Sequence, residues 1–308
     1  MANAKFNFMT IPVILDTDIG LDVDDVWALV FALKCPELDI RLITTTTGDT
    51  TYRARLVAKL LEIANRTDIP IGMGLALDHA AETHSAWLGD YALTDYPGTI
   101  YSDGVGAICQ VILDAAEPVT VIGIGPLPNI AAALQREPTI ASRARFVGMH
   151  GSLRRGYLDA PKPMREYNVK QHALACKAVF EAPWEKTITP LDTCGNILLD
   201  GARFSQIRAS DDPLTRAIIE NHFLWGEAVR DWPLLSMIDL TQQSSILYDL
   251  VAIYLAFSEA LLDIETLPIW VTPDGKTLID DRGCEVRCAT HWHNQSQFLD
   301  LVTERLCE

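Results

Sequence analysis

The chain has 308 residues, is 49% hydrophobic and carries a formal charge of −16. It can bury a large α/β core, and its charge has the wrong sign for DNA, RNA or an acidic membrane, which leaves small neutral substrates open. Seven cysteines without regular close spacing, in a chain whose start reads as a first strand after Lys5 rather than an export signal, point to reduced thiols and a cytoplasmic setting.

The first predicted element is a short apolar strand at residues 13–15. It runs straight into Asp16, Asp18, Asp22, Asp24 and Asp25, five carboxylates within ten residues. Residues 24–33 form an apolar helix-type segment, ended by Pro36. Carboxylates this close repel one another, so some must protonate, face water or share a cation. No Cys or His lies nearby, and an all-oxygen ligand set favours Ca²⁺ or Mg²⁺ over zinc. Helix capping accounts for one or two of the five. An EF-hand fails, because Leu21 and Trp27 stand where it needs Gly and a bidentate Glu. A phosphohydrolase with Asp16 as nucleophile, Asp18 as acid and Asp280-Asp281 as metal ligands is a competing reading.

Residues 38–46 read as a second strand that ends in Thr47-Gly48-Asp49, and a helix with Leu56, Leu60 and Ile63 on one face follows. A short buried strand at 69–72 leads into an irregular stretch at 75–106, long enough to be an active-site loop. The alternation then resumes: helix 104–115, strand 119–124, the turn Gly125-Pro126-Leu127-Pro128-Asn129, helix 130–135 and strand 145–149. An irregular segment at 150–168, helix 169–180 and strand 186–191 come next. This βαβα order specifies a mostly parallel, Rossmann-like sheet with helices on both faces, whose ligands bind beyond the carboxyl ends of the strands. Helices at 213–230 and 246–257, a strand at 264–272, a hairpin turn at 273–276 and a closing helix at 296–306 complete the chain. Residues 247–262 are the most apolar run, but Asp249 and Glu259 interrupt it, so no span of membrane length is present. A single domain over residues 1–308 is the simplest organisation.

Five separated motifs carry chemistry: the acidic loop, Gly48-Asp49, Gly125 to Asn129, Glu166-Tyr167-Asn168 and Tyr248-Asp249. In an extended segment Glu166 and Asn168 face the same side and can grip adjacent hydroxyls. Asp249 sits in an otherwise apolar segment and needs a partner there.

Together these motifs resemble the inosine/uridine-preferring nucleoside hydrolases, Ca²⁺-dependent N-glycosidases, over residues 13 to about 257. The resemblance implies hydrolysis of a ribonucleoside to ribose and free base in nucleoside catabolism. It implies Asp18 as general base and Ca²⁺ ligand, with Asp25, the Pro128 carbonyl and Asp249 completing the protein's ligands. Asp25, Asp49, Glu166 and Asn168 would contact ribose or the attacking water, and a homo-oligomer is expected.

The chain also departs from the family pattern. Ile19 replaces a Pro, the acidic loop is two residues longer and leaves Asp22 without an assigned role, Asp49 stands where Asn is usual, and His150-Gly151 replaces Gly-Gly. Tyr248 replaces a His that helps protonate the departing base, so Tyr248 is expected to stack on the base instead. His79, His84, Trp87, Tyr91, Trp225 and Trp232 are candidates for the base pocket. Cys284, Cys288, His291 and His293 lack the regular spacing of a zinc site. A nucleoside-binding protein without turnover is the reading from a different class.

Overall fold

The computed structural model describes residues 10–233 and 237–308, so Lys5 lies outside the described residues. Near-continuous apolar runs make strands that are covered on both faces, as parallel sheets require. Those described are β1 (Ile11–Thr17), β2 (Leu38–Thr45), β3 (Ile71–Met73), β4 (Ile100–Tyr101), β5 (Val119–Gly123), β6 (Ala144–Met149), β7 (Lys186–Thr189), β8 (Leu262–Val271), β9 (Thr277–Ile279) and β10 (Cys284–Trp292). They form one sheet in the order β4-β3-β2-β1-β5-β6-β7-β10-β8-β9. The strands from β4 to β7, and β10 against β7, pair in parallel, while β8 is antiparallel to β10 and β9.

Helices α1 (Asp24–Leu33), α2 (Thr50–Ile63), α3 (Ser85–Leu88), α4 (Gly104–Asp114), α5 (Pro128–Arg136), α6 (Tyr167–Gln171) and α7 (Ala173–Glu181) alternate with the strands. The chain continues with α8 (Leu191–Cys194), α9 (Gly201–Arg208), α10 (Pro213–Ala228), α11 (Leu250–Leu255) and α12 (Gln295–Cys307). Alternate residues of β1 belong to different cores. Val13 and Leu15 join the cluster built on α1, α2, α10, α11 and α12, while Ile14 joins the one built on α4, α5 and α7. Helices therefore cover both faces, and α1 is buried nearly all round, as its unbroken apolar sequence requires.

The strand order fixes where a ligand can sit. From β1 the chain builds outward through β2, β3 and β4, then crosses back to lay β5 on the other side of β1 and continues through β6 and β7. Crossovers on either side of β1 and β5 leave a crevice beyond their carboxyl ends. The acidic loop emerges there from β1, and Ile124 follows β5 directly.

Several elements differ from the sequence expectation. The helix expected at 169–180 is two helices broken at His172, and β7 stops before Pro190, where α8 begins. Helix α11 starts only at Leu250, so Tyr248 and Asp249 precede it rather than ride on it. The stretch at 75–106 contains α3 and β4, and α9 fills a segment with little apolar periodicity. No helix among the described residues is long and apolar enough to cross a membrane.

Gly20 anchors the turn out of β1 at φ +110°, and a Cβ built there would lie 2.6 Å from the Tyr52 ring and 2.8 Å from Leu56. Left-handed strain and overpacking each cost roughly 1–3 kcal/mol. Gly20→Ala is therefore expected to lower the unfolding free energy by about 3 kcal/mol, measured as a fall in the denaturant midpoint at unchanged m-value. An unchanged midpoint would show that the turn relaxes freely.

Candidate active site

Asp16, near the end of β1, is fully buried and points away from the crevice. The Thr44 hydroxyl and the Asn129 amide, the latter at 2.8 Å, donate to one oxygen, and the other has no partner. Burial pushes this carboxyl up to about 7, against those two hydrogen bonds. Asn129 also donates to the Thr45 carbonyl and accepts from the Leu75 amide, so it ties α5 to β1, β2 and the following loop. A carboxyl so enclosed cannot reach a substrate, which overturns the phosphohydrolase reading. Asp280, in the β9–β10 turn at the edge of the sheet, is paired with Arg282 instead of a metal.

Asp18 does face the crevice, where Arg53 of α2 lies 4.0 Å away. Arg53 is buried, and its remaining donors reach the carbonyls of Thr47 and Ile19, each at 2.8 Å. Burial raises the Asp18 pKa and the guanidinium opposes the rise.

Asp24 and Asp25 occupy the first turn of α1, and Asp249 caps α11 opposite them. Oxygens of these three carboxylates lie within 4.8 Å of one another, all buried. The Thr17 hydroxyl donates to Asp25. Burial first, and repulsion between neighbouring carboxylates second, push all three well above the usual carboxylate range. Buried acids in this arrangement fit a hard cation, because each offers an oxygen and together they lack a balancing positive charge.

The longer acidic loop is held carbonyl by carbonyl. Arg53 donates to Ile19 at 2.8 Å, the Tyr52 hydroxyl to Gly20 at 3.3 Å, and Thr83 to Gly20 and Leu21 at 3.1 and 2.7 Å. Trp225 Nε1 donates to Leu21 at 3.1 Å and His84 Nε2 to the Asp22 carbonyl at 3.0 Å. Five side chains from α2, the turn before α3 and α10 thus set the backbone that presents Leu21 and Asp22 to the crevice. Burial raises the Asp22 carboxyl to about 6, against a hydrogen bond from the Val23 amide.

Glu166 is the N-cap of α6. One oxygen accepts from the Asn168 amide, and the other from the Gly151 and Val169 amides at 3.0 and 3.1 Å. Burial still lifts its pKa to about 7. Asn168 lies in the first helical turn rather than an extended segment, and its Nδ2 donates to the Ile124 and Met149 carbonyls at 3.0 and 3.1 Å. Tyr157 and Tyr248 meet edge to face at 5.8 Å, and the Tyr167 amide donates to the Tyr157 hydroxyl.

These groups enclose a cavity of about 210 Å³. It gathers Asp18, Asp25, Asp249, Glu166, Asn168 and Tyr248 from the sequence-based set, and adds Asp22, Asp24, Ile124 and Tyr157. Two expected members are elsewhere. Asp49 is an exposed N-cap, one oxygen of which accepts from the Thr51 and Tyr52 amides, and it is not among the residues that line the cavity. Pro128 opens α5, where a carbonyl is directed along the helix toward the amide four residues on, and the residue of this segment that lines the cavity is Ile124, whose carbonyl accepts from Asn168.

Of the aromatic and histidine candidates only Trp232 lines the cavity. His84 and Trp225 hold the loop from behind, Trp87 is buried under Lys59, Tyr91 bonds Glu62, and His79 is exposed. Cys288 is buried while His291 is exposed, so the β10 residues share no metal site.

The sequence profile described as inosine-uridine preferring nucleoside hydrolase matches residues 13–302. The non-specific ribonucleoside hydrolase RihC of Klebsiella pneumoniae is 33% identical over 202 residues, covering 62% of this chain and 64% of that one. The pyrimidine-specific ribonucleoside hydrolase RihA of Escherichia coli is 30% identical over 223 residues, covering 69% and 70%. Among solved structures, a plant nucleoside hydrolase, PpNRh1, superposes with a TM-score of 0.81 at 22% identity, over 96% of this chain and 99% of that one. A purine-preferring ribonucleoside hydrolase from Gardnerella vaginalis does so at 0.76 and 21%, over 96% and 98%. At such identities the superpositions speak for the fold, and the profile match over nearly the whole chain speaks for the family: this chain belongs to the inosine-uridine preferring nucleoside hydrolases.

Proposed function

We propose that the protein hydrolyses the N-glycosidic bond of ribonucleosides in a Ca²⁺-dependent reaction, giving ribose and free base, as part of nucleoside breakdown in the cytoplasm. The observation that carries this reading is the buried group Asp24, Asp25 and Asp249 at one wall of a cavity whose other wall is aromatic. Asp18, Asp25 and Asp249, with Asp24 beside them and the Ile124 carbonyl in place of Pro128, are the oxygens that would hold the ion. When bound, Ca²⁺ supplies a hard positive charge that orients water and sugar hydroxyls and acidifies water less than Zn²⁺ does.

A nearby carboxylate must therefore take the proton of the attacking water, and we assign this to Asp18. Arg53 favours its ionised form from behind. Positive charge that develops on the ribosyl ring is stabilised by the surrounding carboxylates, which are fixed before the reaction starts. The Glu166 oxygen that accepts only from the Asn168 amide keeps a lone-pair site and can accept from a sugar hydroxyl, while the other spends both of its sites on Gly151 and Val169. Asn168 spends its amide hydrogens on two carbonyls, so its oxygen is the atom it offers to ribose. The base would lie against Tyr248, whose ring Tyr157 steadies edge-on. Asp16 stays outside the chemistry and supports the strand end.

Three outcomes test this assignment. Base release should stop on exhaustive chelation and return with Ca²⁺, and Asp249→Asn should weaken the requirement's affinity. Activity that survives chelation would sink the metal assignment, and Ca²⁺ binding with no base release from any nucleoside would favour a binding protein. The pH dependence follows from the raised carboxyls. In the metal-free protein their protonated form is favoured on folding, so that stability is complete below the ordinary carboxylate pKa of about 4. It is lost as pH rises through the raised values, about 7 for Asp16 and Glu166. Added Ca²⁺ competes with those protons, so its increase in melting temperature should be larger at pH 8 than at pH 5, and an equal increase at both would contradict the cluster as the binding site.

Glu166→Gln and Asn168→Ala should each lower kcat/KM by a similar factor on every nucleoside, because ribose is common to all. Loss of a charge-assisted hydrogen bond made in the transition state is worth about ten- to a hundredfold. An effect confined to one base would refute ribose contact. Tyr248→Phe keeps the ring and should retain most activity, whereas Tyr248→Ala should lose it through weaker base binding. A kcat loss of about 10²–10⁴ in Tyr248→Phe would instead identify its hydroxyl as the leaving-group acid.

A further inference from the structure

The cavity collects six carboxylic side chains, Asp18, Asp22, Asp24, Asp25, Glu166 and Asp249, and no lysine, arginine or histidine among its lining residues. A divalent ion would offset two of these charges and Arg53, 4.0 Å from Asp18, one more. The loaded site still has an excess of negative charge. The chain's seven histidines are all placed elsewhere. His84 is spent on Asn221 and the Asp22 carbonyl, His150 on the Gly125 carbonyl and His222 on the Leu240 carbonyl. His79, His172, His291 and His293 do not line the cavity either.

A neutral nucleoside must lose its base as an anion or have it protonated, and the cavity lining offers no cationic side chain for the first and no histidine for the second. Asp22 makes the mismatch larger. It belongs to the lengthened acidic loop and lines the cavity together with Tyr157 and Tyr248. The base subsite therefore combines two aromatic rings with an adjacent carboxylate, the arrangement that attracts a flat organic cation.

We propose that this subsite is built for N-ribosides whose leaving group already carries positive charge on its ring system, such as a ribosyl pyridinium or an N7-alkylated purine riboside. The inference rests on the N-ribosyl hydrolase reading above. For a ribosyl pyridinium the C1′–N bond breaks and its electron pair passes to the ring nitrogen, which becomes neutral. The water oxygen bonds to C1′, and one water proton goes to Asp18 and then to solvent. Ribose, a neutral heteroaromatic base and one proton result, and no acid is required at the leaving group.

The test uses the Ca²⁺-loaded protein and three substrates: the riboside of 3-carbamoylpyridinium, p-nitrophenyl riboside and uridine. p-Nitrophenyl riboside controls for easy departure without positive charge. Wild type should turn over the pyridinium riboside with a higher kcat/KM than uridine, and Asp22→Asn should lower the ratio of pyridinium to p-nitrophenyl kcat/KM about tenfold. A binding arm on wild type needs no variant: N-methyl-3-carbamoylpyridinium should inhibit at about tenfold lower concentration than the neutral 3-carbamoylpyridine. Equal inhibition by the two, a ratio unmoved in Asp22→Asn, or a preference for uridine would overturn the proposal. Release from none of the three substrates would overturn the hydrolase reading itself, and this inference with it.

Discussion

The constraint on which the structure turns is the confinement of like charges. Asp24, Asp25 and Asp249 are buried with oxygens within 4.8 Å of one another, and Asp18 lies beside them. Ionised carboxylates in such a place are strongly destabilising unless a cation or protons compensate them. The rest of the fold is arranged to tolerate this. Thr17 and Arg53 direct donors or charge at individual carboxylates, while α1 and α11, buried in the same core, fix the relative positions of the two arms of the cluster. A site that must be filled to be comfortable is also one that holds its ion tightly, which links folding stability to ligand occupancy.

The second organising feature is the separation of support from chemistry. Asp16 and Asp18 are two residues apart, yet one is enclosed by Thr44 and Asn129 and the other faces the cavity. The same division recurs at the far wall. Glu166 satisfies three backbone amides as a helix cap and still borders the cavity, so its orientation is fixed by secondary structure rather than by substrate. Such preorganisation means little rearrangement is needed when ribose arrives.

Much of the fold was legible because strand and helix periods are strong in the first half of the chain: α1 and β2 lie within a residue of where the apolar pattern puts them. Asp249 stood out as an acid in an otherwise apolar segment, and Asp18, Asp25, Glu166, Asn168 and Tyr248 were legible through the resemblance of their motifs to the family; the structure brings them together. Asp49 and Pro128 were less legible because a helix start demands the same residue types as a binding loop does. Ile124 lines the cavity from a strand end, where an apolar side chain carries no signature of a site. Arg53 sits in an amphipathic helix where its charge looks like a solvent-facing residue, and only the tertiary fold reveals it as buried. Tyr157 lies in an irregular segment where no periodicity marks its direction.

The five donors on the carbonyls from Ile19 to Asp22 have one more implication, for how the acidic loop could be changed. A loop of this length is not a module. Transplanted into a scaffold without counterparts of Tyr52, Arg53, Thr83, His84 and Trp225, its exposed carbonyls would look for water in a place too dry to supply it. Shortened after Gly20, it would take acceptors from Thr83, His84 and Trp225. Loop and surroundings therefore form one hydrogen-bonded unit, so that a graft or a designed chimera must move these positions together.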